Sequence, residues 1–171
     1  MPSKSKLGVY RLSEEVVLPT FATESSAAFD LRAFLDGSPV EAFNEHNELE
    51  LIEVHVDNKL PLFPGWRYKI PTGLIFDIPE GYWLSVNMRG GTAWKKGLSL
   101  ANDTGIVDED YVQETFVLVH NTTKTLVLIE NGERIAQAKL ERTVATDLED
   151  LALPPEQKTS RAGGFNSTGT K

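Results

Sequence analysis

The chain has 171 residues, of which 40% are hydrophobic and 25% charged, and this composition predicts one globular domain with a sizeable core. Because the sequence contains no cysteine, it excludes disulfides, cysteine-ligated metals and a cysteine nucleophile. A formal net charge of −8 argues against broad binding to a nucleic-acid backbone, so we expect no nucleic-acid partner. Any anionic ligand must then be bound by local cations.

Neither a signal peptide nor a membrane span is recognisable in the sequence. The first ten residues lack an apolar core, and the longest aliphatic runs, such as 126–129, are far too short to cross a bilayer. We therefore expect a soluble protein without a membrane partner. Its expected location is the cytoplasm, or the host cytoplasm if a virus or phage encodes it.

Short segments that alternate apolar and polar residues predict β-strands along most of the chain. They lie at 49–56, 72–78, 82–88, 115–121 and 124–130. Turn residues occur at 64–66, 79–81 and 131–133, and only 93–97 hints at a helical turn. Strands at this density, without a long amphipathic helix, predict an all-β sandwich or barrel of the jelly-roll type.

Two segments differ from this pattern. Residues 35–50 are polar, acidic and weakly patterned, so we expect a surface loop or excursion there. From residue 151 a Pro-Pro pair stiffens the exit from the core, and the remaining residues cannot bury themselves. The sequence thus predicts a domain over 1–150 and a tail over 151–171 that docks on its own domain or on a neighbour.

Three patches in the last third of the chain have the composition of a nucleotide site. They are GIVDEDYVQE at 105–114, NGERIAQ at 131–137 and RAGGFNSTG at 161–169. The last patch is rich in glycines and hydroxyl groups that can bind phosphate oxygens, and its Phe165 can stack on a base. Candidate cations are Arg89, Lys95 and Lys96 in one cluster and Arg161 in the tail.

Together with SAAFDLRA at 26–33 and MRGGTAWKKGL at 88–98, these patches resemble the five ordered motifs of the trimeric all-β dUTP pyrophosphatase (dUTPase) family. The resemblance covers nearly the whole chain, apart from 35–50 and the extreme N-terminus. It implies a distorted jelly-roll barrel whose flexible C-terminal tail is exchanged within a homotrimer. It also implies hydrolysis of dUTP to dUMP and pyrophosphate, which limits uracil incorporation into DNA and supplies dUMP for dTTP synthesis.

The resemblance implies roles for the residues around the nucleoside. Asp108 matches the carboxylate that activates a water for attack on the α-phosphorus. Tyr111 matches the tyrosine whose ring lies under the deoxyribose and leaves no room for a 2′-hydroxyl. Asn102 matches the residue that, with nearby backbone groups, binds the uracil edge, and Gly105 of the same hairpin is expected to bind substrate. Phe165 matches the tail aromatic that stacks on uracil.

Other matched residues are expected to bind the triphosphate and its magnesium ion. Those that resemble phosphate contacts are Arg89, Gly90, Gly91, Gln137, Arg161, Ser167 and Thr168. Asp30 matches an aspartate associated with the magnesium shell, an indirect contact through water. Phosphate oxygens and water are expected to hold most of the Mg²⁺ coordination sphere. Arg134 and Ile135, in the same motif as Gln137, are expected to support the strand.

Three residues depart from the family's motifs. Gly90 stands where the family has serine, so a hydroxyl near the phosphate bridge is missing. Arg161 lies one residue nearer the tail aromatic than usual, with Ser160 in the customary place, and Asn166 replaces a glycine. A side-chain contribution from position 90 is therefore not carried over to this chain.

Three other interpretations stay open. A related dCTP deaminase would release ammonia from dCTP, although its Arg-Ser-Ser pattern is not evident. A dUTP-binding regulatory protein with slow turnover is motivated by Gly90 and by the acidic 35–50 segment. A purely structural jelly roll, such as a capsid module, would leave Asp108, Tyr111 and Gln137 unexplained.

Overall fold

The structure is a computed structural model, and it describes residues 5–160. These residues form thirteen β-strands and one short helix. The strands are β1 (Gly8–Arg11), β2 (Phe29–Arg32), β3 (Val40–Phe43), β4 (Leu49–Ile52), β5 (Lys59–Leu62), β6 (Arg67–Pro71), β7 (Leu74–Asp77), β8 (Tyr82–Met88), β9 (Leu98–Leu100), β10 (Gly105–Val107), β11 (Phe116–Asn121), β12 (Val127–Glu130) and β13 (Arg134–Arg142). The helix, α1 (Gly90–Lys96), lies between β8 and β9.

The strands pair into two main sheets and two ribbons, and every ladder is antiparallel. One sheet has the order β10-β8-β13-β2, and the other has the order β4-β3-β6-β11-β9. The ribbons are β1-β7 and β12-β5. Within residues 5–160 no ladder closes these sheets into one continuous barrel. The all-β prediction is confirmed, and the order of the strands is consistent with a jelly roll.

Alternation along the strands places one face of each sheet in a common core. In β6, for example, Tyr68 and Ile70 are buried, whereas Arg67 and Lys69 are exposed. The same core takes the middle of β8, where residues 84–86 are all buried. Burying one large aliphatic side chain contributes about 1.5–3 kcal/mol, so this shared core holds the separate sheets together.

Several sequence predictions are confirmed at the level of single elements. The strand predicted at 82–88 is β8, and the helical turn at 93–97 is the end of α1 with its cap. The predicted turns contain Gly65, Gly81 and Gly132, each with a positive φ that glycine adopts without strain. The strand predicted at 49–56 ends earlier than expected, at residue 52.

The prediction of a surface loop at 35–50 is wrong. This segment contains β3 and the start of β4, which form a hairpin at the edge of the five-stranded sheet. Val40 and Ala42 enter the core, while the Asn44 side chain accepts backbone hydrogen bonds from His46 and Glu48, both at 2.9 Å. Edge strands carry many polar and charged residues, and this explains why the segment resembled a loop.

Within residues 5–160, the packed part of the chain ends with β13. Residues 143–160 contain no helix or strand, and all of them are exposed. Residues 161–171, which include most of the predicted tail, lie outside the described residues. Across residues 5–160 no helix is long and apolar enough to cross a bilayer.

Candidate active site

A cavity of about 280 Å³ lies beside β10 and the start of β11. Its lining includes Asn102, Gly105, Asp108 and Tyr111, which are the described residues that the sequence predicts to surround a nucleoside. The structure therefore brings these four residues together. Their roles toward a nucleoside stay predictions.

The connection between β9 and β10 positions Asn102. Strand β9 pairs with β11 in one sheet and β10 pairs with β8 in the other, so residues 101–104 bridge the two sheets. Asp103 takes the left-handed conformation at φ 57°, and the Thr104 N–H donates to the Asn102 carbonyl at 2.6 Å. A Cβ at position 105 would lie 3.0 Å from Val86 Cβ, which explains the glycine there.

Asp108 begins the loop between β10 and β11. Its side chain is exposed, and within residues 5–160 its carboxylate has no hydrogen-bond or ion-pair partner. The Tyr111 N–H donates to the Asp108 carbonyl at 3.1 Å, and the Tyr111 hydroxyl donates to the Glu114 carbonyl at 2.9 Å. Within residues 5–160, the loop thus holds an unpaired carboxylate and a tyrosine ring beside the same cavity.

A second cavity, of about 370 Å³, forms a groove between β2, β13 and the start of α1. Its lining includes Asp30, Arg89, Gly90, Gly91 and Gln137, which the sequence assigns to the triphosphate and its magnesium ion. The register pairs Gln137 directly with Asp30. Directly paired residues of an antiparallel ladder project on the same face, so this register places both side chains at the groove.

The Asp30 carboxylate orients two arginines in the groove. One oxygen lies 2.6 Å from Arg89 Nε, and the other lies 3.2 Å from Arg134 Nη1. Only 19% of the Asp30 side chain is exposed, so solvent screens these ion pairs less than it screens pairs at an open surface. Arg89 also donates to the Arg134 carbonyl at 3.3 Å.

The groove continues into an adjoining cavity, also of about 370 Å³, that is lined by Arg89, Arg134, Lys95, Lys96 and Glu133. Lys96 forms an ion pair with Glu133 at 2.6 Å. Counted with Asp30, the two cavities carry four cations and two carboxylates. This excess of positive charge favours a polyanionic ligand, in a chain whose net charge is negative.

Sequence reasoning missed Arg134 as a residue of the groove. It assigned Arg134 and Ile135 to strand support, and Ile135 is indeed fully buried. However, the pairing of β13 with β2 shifts register between Arg134 and Ala136, which is a β-bulge. Because the extra residue resets the alternation, Arg134 and Gln137 both face the groove despite their odd spacing. Two-residue alternation alone gave no signal for this.

Among the described residues, Asp30 is the only carboxylate that lines the groove and could bind a magnesium ion. Within residues 5–160 no group of three or more His, Cys, Asp or Glu side chains could hold a metal ion. Both oxygens of Asp30 already face arginines. The groove therefore fits magnesium that arrives coordinated by phosphate oxygens, since Mg²⁺ keeps several waters and binds few protein ligands. A contact of Asp30 through water stays a prediction.

The predicted site residues form two groups in this chain. Among residues 5–160, none lines both the groove and the cavity beside β10, which we call the nucleoside cavity after its predicted ligand. Four predicted residues, Arg161, Phe165, Ser167 and Thr168, lie outside the described residues. The chain is thus an all-β protein in which the described residues predicted for a nucleotide site line two separate cavities.

Comparison with known proteins identifies the family of this chain. The family model described as dUTPase matches residues 52–169. The deoxyuridine 5′-triphosphate nucleotidohydrolase of Brucella suis is 37% identical over an alignment of 171 positions, which covers 98% of this chain and 96% of that protein. The corresponding protein of Aquifex aeolicus is 38% identical and is covered over 99% of both chains. The chain therefore belongs to the dUTPase family.

Solved structures agree with the fold. The Staphylococcus bacteriophage 80alpha dUTPase with dUPNHPP superposes with a TM-score of 0.71 at 22% identity, covering 97% of this chain and 99% of that one. The dUTPase of Streptococcus mutans gives 0.65 at 23% identity, covering 84% and 99%. A phage phi11 dUTPase variant, which coordinates a structural Mg(II) ion, gives 0.68 at 18% identity, covering 91% and 100%.

Proposed function

We propose that this chain is a dUTP diphosphatase that uses Asp108 as its general base. The observation that carries the proposal is the Asp108 carboxylate, exposed and without a partner within residues 5–160, beside a cavity of nucleoside size. The Asp108 carboxylate accepts a proton from water as the water oxygen attacks the α-phosphorus, and pyrophosphate leaves as dUMP forms. A positioned general base contributes roughly 10²- to 10⁴-fold to the rate.

The nucleoside binds in the cavity beside this base. Asn102 hydrogen-bonds the uracil edge, together with backbone groups near Gly105, and the Tyr111 ring lies under the deoxyribose. A pocket that hydrogen-bonds one base rejects an analogue whose donors and acceptors are reversed, because buried polar groups are then left unpaired. Relatives at 37% and 38% identity that are named for dUTP hydrolysis support this choice of substrate.

The triphosphate binds in the basic groove. Arg89 and Arg134, held by Asp30, supply charge to the phosphates, while Gln137 and the backbone at Gly90 and Gly91 supply hydrogen-bond donors. The excess of cations over carboxylates in the groove supports this assignment. Magnesium, bound chiefly by the phosphate oxygens, neutralises part of the triphosphate charge.

Each complete site combines parts of three subunits of a homotrimer. This proposal is supported by the absence, within residues 5–160, of lining residues shared between the nucleoside cavity and the groove. It is also supported by the exposed segment 143–160, in which Leu148 is 97% exposed and Leu153 is 78% exposed. Apolar side chains with such exposure favour docking on a second copy. Arg161, Phe165, Ser167 and Thr168 then close over the bound nucleotide.

The test is pyrophosphate release from dUTP, with dTTP, dCTP and UTP as controls, in the presence and absence of magnesium. Asp108→Asn is expected to lower turnover by about 10²-fold or more. Asp110→Asn is the matched control, because it removes the same charge from an exposed residue of the same loop. Turnover in Asp108→Asn equal to that of the wild type would refute the assignment of the base.

Binding and ammonia release, measured with the same nucleotides, separate the other interpretations. Saturable dUTP binding without turnover would indicate a regulatory binding protein. Ammonia release from dCTP would indicate a deaminase. Inert behaviour toward all four nucleotides would leave only a structural role.

A further inference from the structure

Glu114 joins the loop between β10 and β11 to the turn between β6 and β7, next to the point where β6 pairs with β11. Its Oε1 atom accepts a hydrogen bond from the Gly73 N–H at 2.7 Å. Gly73 lies between β6 and β7 with φ +67°, and a Cβ there would lie 2.4 Å from Val16 Cγ2. Because glycine alone fits this conformation and this space, the turn is a well-defined anchor for the loop.

Tyr111 is held through the same residue. Its hydroxyl donates to the backbone carbonyl of Glu114 at 2.9 Å, yet 40% of the tyrosine is exposed. Tyr111 also lies outside the hydrophobic core, so core packing does not fix the position of its ring. The hydrogen bond to Glu114 therefore contributes much of what positions the ring beside the nucleoside cavity.

We infer that Glu114 helps to set the preference of this site for deoxyribonucleotides, by holding Tyr111 where the ring excludes a 2′-hydroxyl. The inference rests on the proposed function, in which Tyr111 lies under the sugar. Glu114 is a positioning residue, since it acts through Tyr111 and through the Gly73 turn. Hydrogen bonds to a charged acceptor are stronger than neutral ones, which suits a carboxylate to this position.

A second carboxylate holds the other end of the loop. Glu109, the residue directly after Asp108, accepts a hydrogen bond through Oε2 from the Gly81 N–H at 2.7 Å. The two contacts make different predictions, because one lies next to the proposed base and the other next to the sugar. Loss of the Glu109 contact is expected to lower turnover of dUTP and UTP alike. Loss of the Glu114 contact is expected to change the ratio between them.

The experiment measures kcat/KM for dUTP and for UTP in the full-length protein. In Glu114→Ala the preference for dUTP is expected to fall about five- to tenfold, which is less than the full contribution of a hydrogen bond to a charged group because Glu114 acts on the sugar only through Tyr111. Glu114→Gln keeps an acceptor oxygen and is expected to restore the preference. Glu15→Ala is the matched control: it removes the same charge from the cavity of about 550 Å³ that Glu114 also lines. Thermal unfolding confirms that each variant is folded.

Two further variants test the route through the tyrosine. Tyr111→Phe removes the hydrogen bond to Glu114 and is expected to lower the preference by a similar factor. The double variant Glu114→Ala with Tyr111→Phe is then expected to be no worse than either single variant. Additive losses would contradict a shared route.

The outcomes distinguish the inference from the proposed function. Wild-type protein that hydrolyses UTP as readily as dUTP would contradict the role of Tyr111, and this inference with it. Wild-type preference that persists unchanged in Glu114→Ala would overturn the inference alone. Equal losses in Glu114→Ala and Glu109→Ala, for both nucleotides, would mean that the two contacts only stabilise the loop.

Discussion

Gly90→Ser restores the hydroxyl that the family has at this position, and we expect it to increase turnover. Gly90 is the first residue of α1, its φ is not positive, and a Cβ built there meets no atom within 4 Å. The side chain therefore fits without moving a neighbour. Replacing a helical glycine is expected to raise the free energy of unfolding by several tenths of a kcal/mol, because the unfolded chain loses conformational freedom.

The catalytic gain is estimated from what one transition-state donor is worth. Loss of such a donor costs about 2.7–4 kcal/mol in other hydrolases. The backbone N–H groups at 90 and 91 supply part of this stabilisation already, so we expect kcat for dUTP to rise by about ten- to a hundredfold. The assay is pyrophosphate release at saturating dUTP and magnesium, with thermal unfolding measured on the same samples.

Gly91→Ser is the matched control, since a Cβ at position 91 also meets no atom within 4 Å. It adds the same hydroxyl one residue further along the helix, where no gain is expected. An unchanged kcat in Gly90→Ser would refute the claim that the hydroxyl is missing from the mechanism. A lower melting temperature would refute the claim that the space at position 90 is open.

Two further predictions concern the groove and the core. Asp30→Asn weakens the contacts that hold Arg89 and Arg134, so we expect KM for dUTP to rise. We also expect the free energy of unfolding in urea to fall by about 1.5–3 kcal/mol. An unchanged KM would contradict the role of Asp30 in orienting these arginines. Tyr68→Phe removes the acceptor of the Phe63 N–H, at 2.7 Å, and is expected to cost about 1–3 kcal/mol. Burial raises the pKa of Tyr68 from 10.0 to about 12, so the unfolded chain loses this proton first and stability falls between these pH values. Between the two ends of that pH range, the free energy of unfolding should fall less in Tyr68→Phe than in the wild type. An equal fall in both proteins would contradict the pKa shift of Tyr68.

Local patterns in the sequence were sufficient for strands that are bounded by clear turn residues. Strand β8 was predicted at its observed bounds because its apolar residues are flanked by clear turn residues. The hairpin at 35–50 was missed for a physical reason: β3 gains its stability from pairing with both β4 and β6, and β6 lies outside the segment. A polar edge strand carries little of that information in its own residues.

For the site residues, too, the sequence determined one part and the tertiary structure decided the other. By itself the sequence determined which residue types are available for the chemistry, because the motifs around Asp30, Arg89, Asp108 and Gln137 are contiguous stretches. Only the tertiary structure decided which of them share a cavity, and it separated Asp108 from the basic groove. It also decided that Arg134 belongs to the groove, since a β-bulge depends on the partner strand and not on the alternation of one strand alone.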